Sequence, residues 1–264
     1  MPPPAPAPSP SGWPPAGSYP GLTTDWTQGA FPPGWEHEGA AGSFAVVDQP
    51  LSRSGRALQL TVGPEASGPN SSSHLAAVYQ YSGAVSYAEE GLETWYFAPG
   101  IILPETDFTT GDWNYVNAEW HTEYGTPGPN SCAMDVLTRY PVTDQPGIDP
   151  HWFFRVRGGA PGAITEKVFT GPDPVLPGRH DHLYHFRWSA DPARALSEWY
   201  YGFRTSLSQP LSLTRMCSIT GQANMVKGYG NSFGLYNYDL LVGFPTVIQY
   251  GEVAAGPSRS SVGA

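Results

Sequence analysis

Four polar residues alternate along one predicted strand of this sequence: Asn117, Glu119, His121 and Glu123. Successive side chains of a strand point to opposite faces of a sheet, so side chains spaced by two share a face. An amide, an imidazole and two carboxylates on one face could bind a sugar through hydrogen bonds or hold a metal ion. An ordinary solvated sheet face would show the same pattern, so both interpretations stay open.

A second polar segment in the C-terminal half of the chain is rich in tyrosine and asparagine. It contains the candidate ligand-binding residues Tyr229, Asn231, Tyr236 and Tyr238. Tyrosine rings supply stacking surfaces, and asparagine amides supply neutral hydrogen bonds. This combination suits an uncharged sugar, and a polysaccharide is the ligand we expect.

Five stretches occur in this order along the chain: Glu90-Gly91-Leu92-Glu93-Thr94-Trp95-Tyr96, Glu119-Trp120-His121, Gly178-Arg179-His180-Asp181, Phe186-Arg187-Trp188-Ser189 and Phe233-Gly234-Leu235-Tyr236-Asn237. Together they resemble the motifs of the concanavalin A-like polysaccharide lyases, a group that includes heparin, glucuronan and alginate lyases. The resemblance covers about residues 25–258 and implies an all-β fold, a concanavalin A-like β-sandwich of the jelly-roll type.

The resemblance also implies a chemistry. Such lyases cleave a 4-linked uronate by β-elimination: cations or amides neutralise the carboxylate, a base removes the C5 proton and an acid protonates the leaving O4. It implies His121 and Tyr236 as the catalytic pair, if the protein is active. The neutralising positions differ, because Glu119 replaces a glutamine, Ser232 a lysine, and the region of Ser72 an arginine. A glutamate beside a carboxylate raises its energy, so we expect weak lyase activity or none.

Other site chemistries have less support. His180 and His182 share a strand face, but His185 falls on the opposite one, and the resemblance assigns His180 and Asp181 to the start of a structural strand. The loop that holds Asp144 and Asp149 matches no calcium-binding pattern. The stretch Gly230-Asn231-Ser232-Phe233-Gly234 has the Gly-x-Ser-x-Gly spacing, but no helix pattern follows it, so the nucleophile elbow of a Ser-His-Asp hydrolase is not supported. We expect no metal and no cofactor.

The elements that must position these residues are strands. Glycine (31) and proline (29) are abundant, whereas charged residues make up 14% against the usual 25% or so. Short alternating segments separated by turns, such as Ser43–Asp48 and Ala57–Val62, predict about eleven to fourteen strands. We expect one domain at residues 25–258 and a short tail at residues 259–264.

Net charge and apolar patterning limit the partners. The formal charge of −10 disfavours nucleic acid, and no apolar run approaches the roughly 20 residues that span a bilayer, so we expect no membrane insertion. The two cysteines, Cys132 and Cys217, are either bridged or buried free thiols, with free thiols as the default.

The N-terminal segment is unusual. Residues 1–20 contain nine prolines and no charge, which predicts a proline-rich extended arm at residues 1–24 that contacts other virion or assembly subunits. Met1 is followed by proline without the basic and apolar regions of a signal peptide. Together with the preference for arginine over lysine, this favours a virion surface component such as a phage minor tail protein, which would contact polysaccharide of the host cell envelope. An extracellular lyase and a structural decoration protein without a ligand are the alternatives.

Overall fold

The computed structural model describes most of the chain. The residues that it describes are 13–29, 35–38, 44–62, 74–79, 90–97, 100–103, 113–122, 131–138, 151–160, 163–171, 176–224, 228–237 and 246–264. All structural statements below concern these residues.

The described residues form sixteen strands and two short 3₁₀ helices, Pro20–Leu22 and Ser260–Val262. The first eight strands are β1 (Glu36–Glu38), β2 (Phe44–Asp48), β3 (Arg56–Val62), β4 (His74–Tyr79), β5 (Glu93–Phe97), β6 (Ile101–Leu103), β7 (Trp113–Thr122) and β8 (Ser131–Thr138). The other eight are β9 (His151–Ala160), β10 (Ala163–Thr170), β11 (Gly178–Arg187), β12 (Leu196–Arg204), β13 (Thr214–Thr220), β14 (Gly228–Asn237), β15 (Thr246–Tyr250) and β16 (Ala254–Gly256).

These strands pair antiparallel in two sheets. The seven-stranded sheet has the order β1-β4-β14-β7-β8-β9-β10. The nine-stranded sheet has the order β13-β12-β11-β6-β15-β3-β2, and β5 pairs with both β11 and β16 beside this path. The described chain is mostly strand with almost no helix, which confirms the all-β prediction.

The core between the two sheets is aromatic. Phe154 of β9 stacks near Tyr184 of β11 and Trp199 of β12, with ring centroids 5.7 and 6.1 Å apart. Trp152 and Val156, two residues either side of Phe154, are equally buried. Alternation along β9 therefore directs Trp152, Phe154 and Val156 towards the nine-stranded sheet and Arg155 away from it.

Strand β11 is buried on both faces because a second apolar cluster covers the side of its sheet that turns away from the core. Phe97, Leu183, Ala254 and Val262 form this cluster, and Trp13 packs against it. The two ends of the described chain thus lie together on the nine-stranded sheet. Val262 belongs to the segment expected to be a tail, and it is fully buried.

The described part of the expected N-terminal arm is held by the domain of its own chain. Tyr19 donates its backbone N–H to Ala255 O at 2.7 Å, and Thr24 exchanges two backbone hydrogen bonds of 2.9 Å with Val253. Leu22 is buried in the core. Residues 19–24 therefore contact the domain of their own chain, and residues 1–12 lie outside the described residues.

The structure defines the state of Cys217. Cys217 of β13 is a buried free thiol, so the bridge to Cys132 that the sequence left open is not formed. The thiol packs in the core between the sheets beside Ile219, where a cysteine behaves as a small apolar side chain.

Candidate functional site

The two polar segments singled out in the sequence lie side by side. Strand β7 carries Asn117, Glu119 and His121, and it is the central strand of the seven-stranded sheet, with β14 as its neighbour. The register pairs Glu119 with Ser232 and Trp120 with Asn231. Two segments from distant parts of the sequence are thereby joined into one patch. Glu123 and Tyr238 lie outside the described residues.

One row of directly paired positions crosses this sheet from edge to edge. From β1 to β10 it runs Glu36, Tyr79, Ser232, Glu119, Met134, Arg155 and Val168. Directly paired positions belong to the same face of a sheet. Arg155 is partly exposed and Val168 is 50% exposed, whereas Phe154 and Val156 are buried between the sheets. The row therefore belongs to the face that turns away from the core, which we call the outer face of the seven-stranded sheet.

The register is irregular on both sides of Glu119. The pairing of β7 with β8 shifts between Val116 and Glu119 and again between Glu119 and His121. A bulge of this kind adds a residue to one strand and interrupts strict alternation. The expectation that Asn117, Glu119, His121 and Glu123 share one face stays a prediction.

Tyr236 lies away from His121 in the register. It pairs with Asn114, seven residues before His121 in the sequence, which corresponds to about 23 Å along a strand. The role of His121 and Tyr236 as base and acid on one sugar stays a prediction. Tyr229 is the nearer tyrosine in register, because it lies between Gly228 and Asn231, which pair with Thr122 and Trp120.

His180 is part of the core between the sheets. Its Nε2–H donates to Leu176 O at 2.8 Å, so Nδ1 accepts from Trp152 Nε1 at 3.2 Å and from the Tyr201 hydroxyl at 2.8 Å. Burial lowers the pKa of His180 to about 3, because a charged ring would lose its hydration. Among the described residues, no group of three or more His, Cys, Asp or Glu side chains is arranged to hold a metal ion.

The neutral state of His180 should make the fold acid-sensitive. Between about pH 6.5 and pH 3 the unfolded chain binds a proton at this residue and the folded chain does not. Stability present above pH 6.5 is thus lost as the pH falls, by about 1.4 kcal/mol per pH unit. The free energy of unfolding, measured in urea at pH 7, 6 and 5, should show this slope. His180→Asn keeps an acceptor near the position of Nδ1 and should flatten the slope. Equal slopes in the wild-type protein and in His180→Asn would contradict a buried, neutral His180.

A buried ionic cluster lies on the opposite face of β11. Arg179 donates to Asp181 Oδ1 at 2.7 Å and to Glu252 at 2.6 and 3.0 Å, and Arg204 donates to Asp181 Oδ2 at 2.7 Å. A Cβ atom at Gly100 would lie 2.7 Å from the Arg179 guanidinium, so the absence of a side chain there makes room for this group. Burial alone would raise the pKa of Glu252, but the charge and hydrogen bonds of Arg179 together with the charge of Arg53 outweigh it and lower the pKa to about 2.

A second polar cluster on that same face was not found from the sequence. His185 stacks on Trp95 with ring centroids 4.0 Å apart, and its Nδ1 contacts Glu198 Oε2 at 2.9 Å. Tyr200 and Arg215 donate to the same carboxylate at 3.0 and 3.1 Å. His185 does fall on the face opposite to His180, as predicted. The hydrogen bonds that Glu198 accepts join β11, β12 and β13, so the cluster ties the strands at this end of the sheet together.

The fold has relatives among solved structures. The catalytic domain of a GH131 β-glucanase from Podospora anserina is 10% identical over 86% of both chains, with a TM-score of 0.50. The marine PL-14 alginate lyase from Aplysia kurodai is 10% identical over 86% of this chain and 92% of its own, also with a TM-score of 0.50. The fold is a jelly-roll β-sandwich. Identities this low concern the fold alone.

The amino-acid sequence was also compared with protein families and with curated proteins. No protein-family model matches the chain, and no curated protein matches it. Among the described residues, no helix is long and apolar enough to cross a membrane.

Proposed function

We propose that this jelly-roll protein binds a polysaccharide on the outer face of its seven-stranded sheet and does not cleave it by β-elimination. One observation carries the proposal: the register joins the Glu119–His121 stretch to Tyr229–Ser232 in the middle of that sheet. Residue types suited to sugar hydroxyls and rings are thereby gathered from two distant segments. Because a fold does not determine a function, these residues support the proposal and the fold relatives do not.

The same register argues against elimination. Glu119 and Ser232, which replace the glutamine and the lysine that the resemblance implies, are paired directly with each other. A uronate lying over this pair would meet a carboxylate where neutralisation is needed. Losing one such electrostatic partner costs about 10²- to 10³-fold in rate, and two positions are changed here. The region of Ser72, where an arginine was expected, lies outside the described residues.

The test combines binding and cleavage measurements on the full chain. Affinity electrophoresis against a panel of bacterial and plant polysaccharides should reveal at least one ligand. Ultraviolet absorbance should reveal no unsaturated product from heparin, alginate or glucuronan. His121→Ala and Tyr229→Ala should each weaken binding about tenfold, as loss of a stacking or buried hydrogen-bonding group does. Arg194→Gln, an exposed change in the turn between β11 and β12 of the other sheet, is the matched control and should leave binding unchanged.

Two outcomes would overturn the proposal. One is rapid product formation that His121→Ala abolishes, which would make the protein a working lyase with a different neutralising group. The other is a panel without any ligand, which would favour a structural protein. Tyr236→Phe adds a check on the register, because Tyr236 pairs with Asn114, seven residues before His121, and should matter less than Tyr229 to a sugar that contacts His121.

We also propose a location, the virion surface, with the protein acting as a minor tail protein that contacts host envelope polysaccharide. The proline-rich start of the chain and the presence of only two lysines, Lys167 and Lys227, among 13 basic residues support it. Mass spectrometry of purified particles should detect the protein, and removal of residues 1–12 should reduce its incorporation. Secretion of the protein as a free monomer would contradict this location.

A further inference from the structure

The lysine and arginine residues of the seven-stranded sheet all lie at one side of it. The five adjacent strands β1, β4, β14, β7 and β8 contain the acidic residues Glu36, Glu38, Glu119 and Asp135 and no lysine or arginine. The basic residues Arg155, Arg157 and Lys167 are confined to β9 and β10, together with the acidic Glu166. The proposed glycan patch on β7 and β14 therefore lies entirely within the five strands that have no lysine or arginine.

The cross-strand row shows how many strands separate Glu119 from the nearest lysine or arginine position in the row. Its paired neighbours in the row are Ser232 on one side and Met134 on the other, neither of which is charged. Arg155 comes next, two strands away, which corresponds to about 10 Å of backbone spacing. In the other direction the row ends at Glu36, another acidic residue. A sugar centred over Glu119 would meet a carboxylate without a cation at the neighbouring positions of the row.

Such a patch discriminates between sugars by charge. A carboxylate accepts hydrogen bonds from sugar hydroxyl groups, whereas a second carboxylate or a sulfate beside it is repelled. The formal charge of −10 for the whole chain adds a repulsive field at longer range. From this placement we infer that the polysaccharide is uncharged and carries neither uronate nor sulfate groups. The inference rests on the proposed function and names the class of its ligand.

The experiment compares each neutral polysaccharide that binds with the same polymer oxidised at C6 to the uronate. Backbone and linkage are then unchanged, and the carboxylate is the variable. Oxidation should weaken binding to the wild-type chain at least about tenfold, the equivalent of 1.4 kcal/mol. This loss of affinity on oxidation, which we call the penalty, should shrink when the salt concentration is raised from about 20 to 200 mM, since salt screens charge repulsion.

Two variants test whether the Glu119 carboxylate causes the penalty. Glu119→Gln supplies a neutral side chain of nearly the same shape and should reduce the penalty several-fold, where the penalty is the ratio of the affinities of that one variant for the neutral and the oxidised polymer. Asp48→Asn removes the same charge from an exposed position on β2 of the other sheet, and it should leave the penalty unchanged.

The possible results separate this inference from the proposed function. Equal or tighter binding of the oxidised polymer by the wild-type chain would overturn the inference while leaving glycan binding intact. The same penalty in Glu119→Gln as in Asp48→Asn would also overturn it, because the discrimination would then come from net charge and not from the patch. If no polymer binds in either form, the proposed function itself fails.

Discussion

Replacing Glu252 by glutamine is expected to lower the free energy of unfolding by about 3 to 5 kcal/mol, the usual cost of breaking a buried ion pair from one side. Glu252 is fully buried and accepts hydrogen bonds from Arg179, from Ser52 Oγ and from the Arg53 backbone N–H. The neutral amide would leave the Arg179 guanidinium, which is also fully buried, with one carboxylate partner fewer.

Chemical unfolding in urea at pH 7 measures this loss. Asp48→Asn serves as the control, because the Asp48–Arg56 pair is exposed and exposed pairs contribute less than about 1 kcal/mol. The stability that Glu252 supplies is present above its unfolded pKa and lost as the pH falls through about 4.5 towards 2. A loss below 1 kcal/mol in Glu252→Gln at pH 7 would show that the cluster does not stabilise the fold in this way.

Removing residues 1–22 is expected to destabilise the sandwich strongly, and Leu22→Ala alone by about 2 to 5 kcal/mol. Leu22 is 1% exposed within the main core cluster, and Trp13 packs over the second cluster with the Arg53 guanidinium 5.7 Å from its ring. Deletion of these residues would expose apolar surface of the core that they now cover.

Thermal unfolding of two truncated chains separates this role from that of an independent arm. Removal of residues 1–12 takes away none of the described contacts, and the melting temperature should change little. Removal of residues 1–22 should lower it by well over 10 °C, given about 2 to 4 °C per kcal/mol for a domain of this size. Similar melting temperatures for both truncations would contradict the packing of Tyr19 and Leu22.

The strands were predictable where alternation and β-branched or aromatic residues coincide. Ala57–Val62 was predicted, and β3 spans Arg56–Val62. Strand β1 was missed because Glu36-His37-Glu38 carries no apolar signal, and it forms through pairing with β4. Strand β13 was missed because Met216, Cys217 and Ile219 give only a weak alternating pattern.

The N-terminal segment shows a different limit of sequence reasoning. Its proline content indicates an extended chain, and residues 13–29 are indeed mostly irregular. Proline content does not say what an extended chain packs against. The apolar residues Trp13, Tyr19, Leu22 and Trp26 were the signal that could have revealed its contact with the domain.

The candidate site was also predictable only in part from the sequence. The residue types in β7 and β14 could be singled out from local sequence. Their register could not, because pairing between strands separated by about a hundred residues is a tertiary property. Tyr236 shows the consequence: it matches a motif of the resemblance, yet it pairs with Asn114, away from His121. The role of His180 likewise depends on Trp152, which comes from the other sheet.

The most direct test of glycan binding on the outer face of the seven-stranded sheet is backbone hydrogen exchange with and without a bound neutral oligosaccharide. Ligand binding slows exchange where it suppresses local opening. The account predicts added protection in residues 113–122 and 228–237, and none in residues 196–220 of the other sheet. Protection confined to residues 196–220, or to the segment around Trp95, would place the ligand on the nine-stranded sheet and contradict the account.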